Sequence, residues 1–247
     1  MRVAIISDIH SNLPAFQAVL DDAGTVDEYW CLGDVVGYGP DPNECVELLR
    51  SLPHRCLAGN HDWAALGKLD LYEFNADARA ATLWTQEQLS AENMEYLQDL
   101  PERLAEGKYT LVHGSPRHPI WEYIVNASVA RINFEYFETQ VCLIGHTHTP
   151  VIFLSSPASG SQAYETLIPN PGHPFSLEEG AQQRFIINPG SIGQPRDGDP
   201  RASYAILDTE EDTLEHRRVS YPVEDTQKRM EEYNLPQRLI LRLSYGW

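Results

Sequence analysis

Five short segments of the chain place Asp, Asn or His side chains directly after predicted β-strands. The segments are Asp8-Ile9-His10, Gly33-Asp34, Gly59-Asn60-His61-Asp62, His113-Gly114 and Gly145-His146-Thr147-His148. Ligands of open α/β sheets gather at the carboxyl ends of the strands, so we expect these side chains to converge. Carboxylate oxygens together with neutral imidazole nitrogens suit divalent ions such as Mn, Fe, Co, Ni or Zn.

The number of candidate ligands indicates more than one ion. Residues two apart in an extended segment share a face, so Asp8 and His10 are predicted to point the same way, as are His146 and His148. The seven candidates are too many for one tetrahedral zinc and suit a two-metal site with a bridging carboxylate. They are Asp8, His10, Asp34, Asn60, His113, His146 and His148.

The elements that must position these segments alternate between strand and helix in the first half of the chain. Apolar runs at residues 3–7, 29–32 and 55–58 predict buried strands. Helices are predicted to start after Asn12 and Asp41. This order predicts a parallel sheet covered by helices. Further strands are predicted at 109–112, 141–144 and 151–154.

The rest of the chain is less regular. Residues 64–106 look helical throughout, and we predict a helical insertion that is either a solvated face or a cap beside the site. Residues 155–180 are rich in Ser, Pro, Gly and Asn, which predicts a long excursion. Strands of a second, partly antiparallel sheet are predicted at 184–187, 202–207 and 213–219, and helices at 127–138 and 224–233. No linker divides the chain, so we predict a single domain over 1–247.

Composition restricts the partners and the location. The formal net charge is −18, which disfavours binding to long nucleic acid. An anionic substrate needs local positive charge, which bound metal ions would supply. No apolar run approaches the roughly 18 residues of a membrane span, so no membrane partner is expected. The four cysteines have no paired spacing, and no signal-peptide pattern opens the chain, which together predict a cytoplasmic protein.

The ordered set of five segments resembles the calcineurin-like metallophosphoesterase superfamily. Residues 188–193, with the sequence Asn-Pro-Gly-Ser-Ile-Gly, are similar to a segment of its small bacterial and archaeal phosphodiesterase branch. The resemblance implies an α/β fold in which two packed mixed β-sheets are flanked by helices, a four-layer α/β/β/α sandwich. It also implies a metal-dependent hydrolase acting on a small phosphoester substrate.

The resemblance further implies two divalent metal ions as cofactors, with Mn, Fe, Ni and Zn all suited to the ligands. Asp8, His10 and His148 would hold one ion. Asn60, His113 and His146 would hold the other. Asp34 would bridge them. In such enzymes two ions about 4 Å apart activate a bridging hydroxide, which attacks phosphorus.

His61 stands at the family position for a general acid on the leaving group, and Asn60 would also contact the phosphate. Gly37 and Tyr38 stand where the phosphatase branches have Asp and Arg. The Asp that would orient His61 is therefore missing, and we predict that Asp62 takes over this role. The missing Arg favours hydrolysis of phosphodiesters of small nucleotide type over phosphomonoesterase or protein phosphatase activity.

Several alternatives remain open at this stage. Arg196 is predicted to contact the phosphate, or else to be a surface arginine. Tyr38, Trp63 and Trp121 either stack on a base or simply pack. Residues 188–193 are a functional segment or only a tight turn. The chain could also be a non-catalytic metal-binding scaffold of the same fold or a nuclease, and the sequence leaves open whether it forms a homo-oligomer.

Overall fold

The computed structural model describes residues 1–158, 161–178 and 183–247. Its strands are β1 (Arg2–Ile6), β2 (Glu28–Cys31), β3 (His54–Cys56), β4 (Arg103–Glu106), β5 (Tyr109–Val112), β6 (Val141–Leu143), β7 (Val151–Ala158), β8 (Ser161–Leu167), β9 (Pro174–Ser176), β10 (Arg184–Asn188), β11 (Ala202–Asp208) and β12 (Thr213–Val219). Its α-helices are α1 (Leu13–Ala23), α2 (Pro42–Arg50), α3 (Asn60–Ala65), α4 (Ala76–Gln88), α5 (Ala91–Gln98), α6 (Ala127–Asn133), α7 (Val223–Glu232) and α8 (Gln237–Arg242).

The strands form two six-stranded mixed sheets, as predicted. The order is β3-β2-β1-β11-β12-β9 in the first sheet and β4-β5-β6-β10-β7-β8 in the second. In the first sheet β1, β2 and β3 are parallel, and in the second β5, β6 and β10 are parallel. The remaining pairs are antiparallel. The candidate ligands follow β1, β2, β3, β5 and β6, which are all parallel strands.

Alternation along β1 shows how the layers are built. Val3 and Ile5 belong to the core between the two sheets, together with Phe185 of β10. Ala4 and Ile6 point to the opposite face of the first sheet, where they pack on helices α1 and α2. The outer face of the second sheet packs on α6. The four-layer α/β/β/α sandwich is therefore confirmed.

The segment at 64–106 is helical only in part. It contains α4, α5 and a short 3-10 helix at Leu71–Glu73, but its last residues form the edge strand β4. The prediction of helix at 103–106 is wrong because Leu104 pairs opposite Leu111 of β5, and this partner lies outside the local sequence. Leu97 of α5 is buried in the helical layer over the first sheet, so part of the segment is core.

The predicted excursion at 155–180 is largely strand. β7 continues to Ala158, β8 pairs with it in a hairpin, and β9 adds an edge to the first sheet. Cross-strand hydrogen bonds override the weak strand propensity of a Ser- and Gly-rich sequence. Residues 159–160 and 179–180 of this segment lie outside the described residues. The helix predicted at 127–138 ends at Asn133.

Among the described helices, none is both long enough and apolar enough to cross a membrane.

Candidate active site

The five segments meet where the parallel strands of both sheets end. β1, β2 and β3 deliver Asp8, His10, Asp34 and Asn60, whereas β5 and β6 deliver His113, His146 and His148. All seven side chains are buried, with at most 2% exposed. The two sheets thus bring together residues that are up to 140 positions apart (148 − 8 = 140).

Five of these residues adopt a left-handed backbone conformation. Their φ angles are 54° for Asp8, 49° for His10, 54° for Asp34, 65° for His146 and 60° for His148. The prediction that Asp8/His10 and His146/His148 lie in extended segments is therefore wrong. Such φ values cost about 1–3 kcal/mol each in non-glycine residues and persist where the surrounding structure imposes them. Here the backbone N–H groups of Asp8 and His10 donate to the carbonyls of Gly33 and Asp34, both at 3.0 Å.

The potential ligands form two overlapping groups. Asp8, His10, Asp34 and His148 make up the first, and Asp34, His113 and His146 the second. Within each group one ligand atom per residue lies within 4.8 Å of the others. Asn60 joins the second group, because its Oδ1 lies 3.1 Å from His113 Nε2. Asp34 is common to both groups.

Each of the four imidazoles is fixed by a backbone carbonyl on its outer side. The contacts are His10 Nδ1 to Val36 O at 3.1 Å, His113 Nδ1 to Leu32 O at 2.8 Å, His146 Nε2 to Trp121 O at 3.2 Å and His148 Nδ1 to Gln194 O at 2.6 Å. A carbonyl can only accept, so these ring nitrogens carry the hydrogen. In the neutral ring the other nitrogen then presents a lone pair to the site, as in histidine metal ligands.

The inward-facing atoms fit divalent cations. His10 Nε2 and His148 Nε2 face each other at 3.1 Å, and His113 Nε2 and His146 Nδ1 at 3.2 Å. Two lone pairs at this separation repel each other unless a proton or a cation lies between them. Asp8 Oδ1 and Asp34 Oδ2 are buried, and their nearest neighbours among these groups are His148 Nε2 at 3.2 Å and His113 Nε2 at 3.3 Å. Buried carboxylate oxygens and imidazole nitrogens that face one point are the donor set of a metal site.

Burial and mutual charge set the protonation of the site. Burial lowers the pKa of His10, His146 and His148, which keeps these rings neutral. Burial also acts to lower the pKa of His113, but the Asp34 carboxylate raises it to about 9. Although burial opposes ionisation of Asp34, His113 and its neighbours hold the pKa of this carboxyl well below its usual range. Asp34 is therefore an anion at neutral pH.

His61 lies beside both groups without belonging to either. Its backbone N–H donates to Asp34 Oδ1 at 2.8 Å. Its ring packs between Tyr38 and Phe74, with centroid distances of 4.3 and 5.1 Å. Its Nδ1 is buried and makes no hydrogen bond. Burial lowers the pKa of His61 to about 4, so the ring is neutral at pH 7 and carries one N–H.

Asp62 does not orient His61, so that prediction is wrong. Its Oδ2 accepts from the backbone N–H groups of Asp34 at 2.8 Å and Gly59 at 2.9 Å, and its Oδ1 accepts from Val36 N–H at 3.1 Å. The carboxylate thus joins the loop after β2 to the start of α3. Asp62 positions the backbone that carries Asp34 and Asn60.

Arg196 lies at the rim of the site and is half-buried. Its backbone N–H donates to the His148 carbonyl at 3.3 Å, and its guanidinium donates to Gln194 Oε1 at 2.9 Å. The neighbouring acids Asp197 and Asp199 pair with other arginines, Arg218 and Arg201. Arg196 is therefore not neutralised by them.

The segment at 188–193 is more than a turn. Asn188 Nδ2 donates to the Gly145 carbonyl at 2.6 Å, and Ser191 Oγ donates to the Asp8 carbonyl at 2.9 Å. It thereby ties the loop after β1 to the loop after β6. At Gly193 a Cβ atom would lie only 1.9 Å from the Ile9 carbonyl oxygen, so this position requires glycine.

The three aromatic residues singled out from the sequence make different contacts. Tyr38 packs against His10 with ring centroids 4.7 Å apart. Trp121 contributes its backbone carbonyl to His146. Trp63 packs under Lys68, with the ammonium 5.7 Å from the ring centroid. Sequence reasoning missed Tyr123, which stacks on His146 at 3.7 Å, and no spacing signal marks it.

A model of the calcineurin-like phosphoesterase superfamily domain matches residues 1–212. The chain belongs to this superfamily. The resemblance inferred from the five segments is thereby confirmed, and the relatives described next support the small bacterial and archaeal branch.

Relatives of this calcineurin-like phosphoesterase agree with that assignment. The crystal structure of a metallophosphoesterase from Sphaerobacter thermophilus is 49% identical, covers 100% of this chain and 99% of its own, and superposes with a TM-score of 0.88. Uncharacterized protein MJ0912 of Methanocaldococcus jannaschii is 39% identical over 99% of this chain and 98% of its own. Phosphodiesterase YfcE of Escherichia coli is 26% identical over 85% of this chain and 89% of its own. Together they support a metal-dependent hydrolase.

Proposed function

We propose that this calcineurin-like phosphoesterase is a two-metal phosphodiesterase that acts on small nucleotide-type substrates. One observation carries the proposal: two groups of inward-facing nitrogen and oxygen atoms share the Asp34 carboxylate. A single ion would leave one group of buried acceptors unpartnered. Two ions would satisfy both groups.

The roles in metal binding follow the two groups. Asp8, His10 and His148 would hold one ion, Asn60, His113 and His146 the other, and Asp34 both. The donor set suits Mn²⁺, Fe, Ni or Zn. When bound, two such ions would supply positive charge for the phosphoryl oxygens and lower the pKa of coordinated water.

His61 and Asn60 are proposed to handle the substrate. Asn60 turns its Oδ1 to His113, so its amide hydrogens are the ones left to donate to a phosphoryl oxygen. His61 carries one N–H at neutral pH and has no competing hydrogen bond at Nδ1. To act as the general acid, this ring would first take up a second proton, which an anionic phosphate bound beside it would favour, and would then donate that proton to the leaving oxygen.

The preference for diesters rests on what surrounds His61. A phosphomonoester dianion calls for a guanidinium clamp, which Gly37 and Tyr38 do not offer, and the guanidinium of Arg196 at the rim donates to Gln194 Oε1. Gly37 packs directly against the His61 ring, since a Cβ atom there would lie 2.9 Å from His61 Nδ1, so no larger side chain fits at this position. The phosphodiesterase relative favours the same substrate class. The net charge of −18 argues against long nucleic acid as a substrate.

The test is hydrolysis of bis-p-nitrophenyl phosphate and p-nitrophenyl phosphate by purified protein with added Mn²⁺. We expect faster turnover of the diester. The His61→Ala variant should keep its metal ions, measured by elemental analysis, and lose most turnover of diesters with poor leaving groups. His118→Ala is the matched control, because that side chain is exposed and outside both groups. Faster monoester turnover would indicate a phosphatase, and metal loss in His61→Ala would refute the role of His61.

A further inference from the structure

A cleft of about 870 Å³ opens directly beside the candidate active site. Its inner end is lined by Tyr38, Tyr123 and Arg196, each of which contacts a candidate ligand. Tyr38 packs on His10, Tyr123 stacks on His146, and the Arg196 backbone binds the His148 carbonyl. A molecule whose phosphate lies at Asp34 would therefore extend into this cleft.

Residues 237–247 form the opposite side of the cleft, which we call the outer wall. Leu239 and Ile240 of its helix α8, and Leu243 directly after the helix, are buried against α4 and α7. This packing leaves Arg238, Arg242, Tyr245 and Trp247 lining the cleft. The outer wall lies beyond the match to the superfamily model, which ends at residue 212.

The end of the outer wall is held in place at Gly246. This residue is buried and has a φ of +67°, and a Cβ atom there would lie 2.7 Å from the backbone of Asp199. Gly198 N–H donates to the Gly246 carbonyl at 2.9 Å. The loop that follows Arg196 is thus joined to the segment that carries Tyr245 and Trp247.

The cleft concentrates positive charge in an acidic protein. Arg196, Arg238 and Arg242 all line it. Among the described residues, no Asp or Glu oxygen lies within 4.0 Å of any of the three guanidinium groups. Asp77 is the acid among the described lining residues. Burial and the nearby charge of Arg196 lower the pKa of Arg242 to about 10, so a bound anion would relieve the repulsion.

The outer wall also exposes flat aromatic surface. Trp247 is 64% exposed and Tyr245 is 53% exposed. Their rings stack on each other with centroids 4.7 Å apart and planes 22° apart. Arg242 Nε donates to the Trp247 backbone oxygen, which ties the helix to this aromatic pair. An aromatic platform beside arginines that face no Asp or Glu is the combination that binds a base and its phosphates.

We propose that the outer wall, with Arg196, binds the part of the substrate beyond the scissile phosphate. The arginines hold a second phosphate group, and Tyr245 with Trp247 stacks a nucleobase. The substrate is therefore a nucleotide that carries at least two phosphate groups. This inference rests on the proposed function and narrows its substrate class.

Calorimetric titration tests the inference without relying on turnover. The probes are the hydrolysis-resistant α,β-methylene analogue of ADP, AMP and pyrophosphate. Wild-type protein should bind the ADP analogue more tightly than AMP, which lacks the second phosphate, and more tightly than pyrophosphate, which lacks the base. In Arg238→Ala/Arg242→Ala the affinity for the analogue should fall by about tenfold or more, since charged hydrogen bonds are lost.

Three further variants separate binding from folding. Arg238→Lys/Arg242→Lys keeps the charge and should restore part of the affinity. Trp247→Ala should lower the affinity for the ADP analogue more than the affinity for pyrophosphate, which has no base to stack. Arg131→Ala, which removes an exposed arginine on α6 away from the cleft, should leave the affinity for all three probes unchanged.

The inference is overturned if wild-type protein does not bind the analogue, or if folded Arg238→Ala/Arg242→Ala binds it as tightly as wild type. With diester hydrolysis intact, that result would leave the proposed function standing. Conversely, if the protein hydrolyses neither the nitrophenyl diester nor the monoester, the proposed function is refuted. A loss of analogue affinity in the double variant would still support the cleft as a nucleotide site.

Discussion

The loops that carry the seven candidate ligands, which we call the metal-site loops, differ from the outer wall in how far their side chains are buried and fixed. In the metal-site loops every candidate ligand is at most 2% exposed, and each imidazole is fixed by a backbone carbonyl. In the outer wall the polar and aromatic side chains that line the cleft are exposed, apart from the half-buried Arg242, and stand on one short helix and the residues after it. Reaction chemistry needs positions held to fractions of an ångström, whereas recognition of a substrate's distal groups tolerates mobile side chains.

The difference also determines what a substitution should do. A change in the metal-site loops disturbs backbone that several loops share, so metal content, activity and stability should move together. A change in the outer wall should alter affinity alone. The following predictions test this separation, from the largest expected effect to the smallest.

Asp34→Asn should have the largest effect, because this carboxylate belongs to both ligand groups. The amide keeps an acceptor for His61 N–H but loses the charge that both ions need. We expect the metal content to fall to one ion or fewer per chain and diester hydrolysis to fall by about 10⁴-fold. Arg238→Ala should leave metal content unchanged by elemental analysis. Full metal loading of Asp34→Asn would contradict the expectation that metal content depends on the metal-site loops and not on the outer wall.

Asp62→Ala should mainly destabilise the fold. It leaves the backbone N–H groups of Asp34, Val36 and Gly59 without their acceptor. Three orphaned buried donors should lower the free energy of unfolding by about 4 kcal/mol, measured by urea denaturation. The control is Asp77→Ala in the cleft, which should cost under about 1 kcal/mol. Equal losses in the two variants would contradict the account.

Gly37→Ala should impair His61 without removing metal ions. This glycine has a φ of +96°, and the added Cβ would meet His61 Nδ1 at 2.9 Å. A displaced ring should lower diester hydrolysis by about 100-fold. Gly67→Ala is the matched control, because its φ is +70° but no atom lies within 4 Å of the new Cβ. If both variants lose the same activity, backbone strain rather than the position of His61 is responsible.

His216 offers a buried histidine that serves structure rather than metal. It is 2% exposed, and Ser203 Oγ lies 2.8 Å from its Nε2. Burial lowers its pKa from 6.5 to about 4, so the unfolded chain binds the proton more readily. Stability contributed by the neutral ring is therefore full above pH 6.5 and falls toward pH 4. The loss should reach about 2 kcal/mol at pH 5.

Denaturation of wild type and His216→Gln at pH 7 and pH 5 measures this effect. The glutamine variant should lose less stability than wild type between the two pH values. An equal loss in both proteins would assign the acid sensitivity to other groups.

The sequence predicted the metal-site loops well because their signal is local. Each segment follows an apolar run, and the ends of parallel strands meet at one edge, so convergence of His10 with His148 could be inferred. The structure brings all seven candidates together, and their metal-binding roles remain a prediction. The left-handed backbone at Asp8 and His146 could not be inferred, because neighbouring loops impose it through hydrogen bonds.

The outer wall and the strands β4, β8 and β9 escaped prediction for a different reason. β4 and β8 acquire strand structure from partners distant in sequence, as Leu104 does from Leu111. Arg238, Arg242 and Trp247 have no spacing that marks a site, and they line one cleft only because α8 packs beside Tyr38. Asp62 was placed correctly beside the site but assigned the wrong partner, since a carboxylate's backbone contacts leave no pattern in the sequence.

The most direct measurement is anomalous diffraction from crystals of the protein soaked in Mn²⁺. The account predicts two peaks that share Asp34, one contacted by Asp8, His10 and His148 and the other by Asn60, His113 and His146. A single peak, or peaks that do not involve Asp34, would contradict the two-metal site on which the proposed function depends.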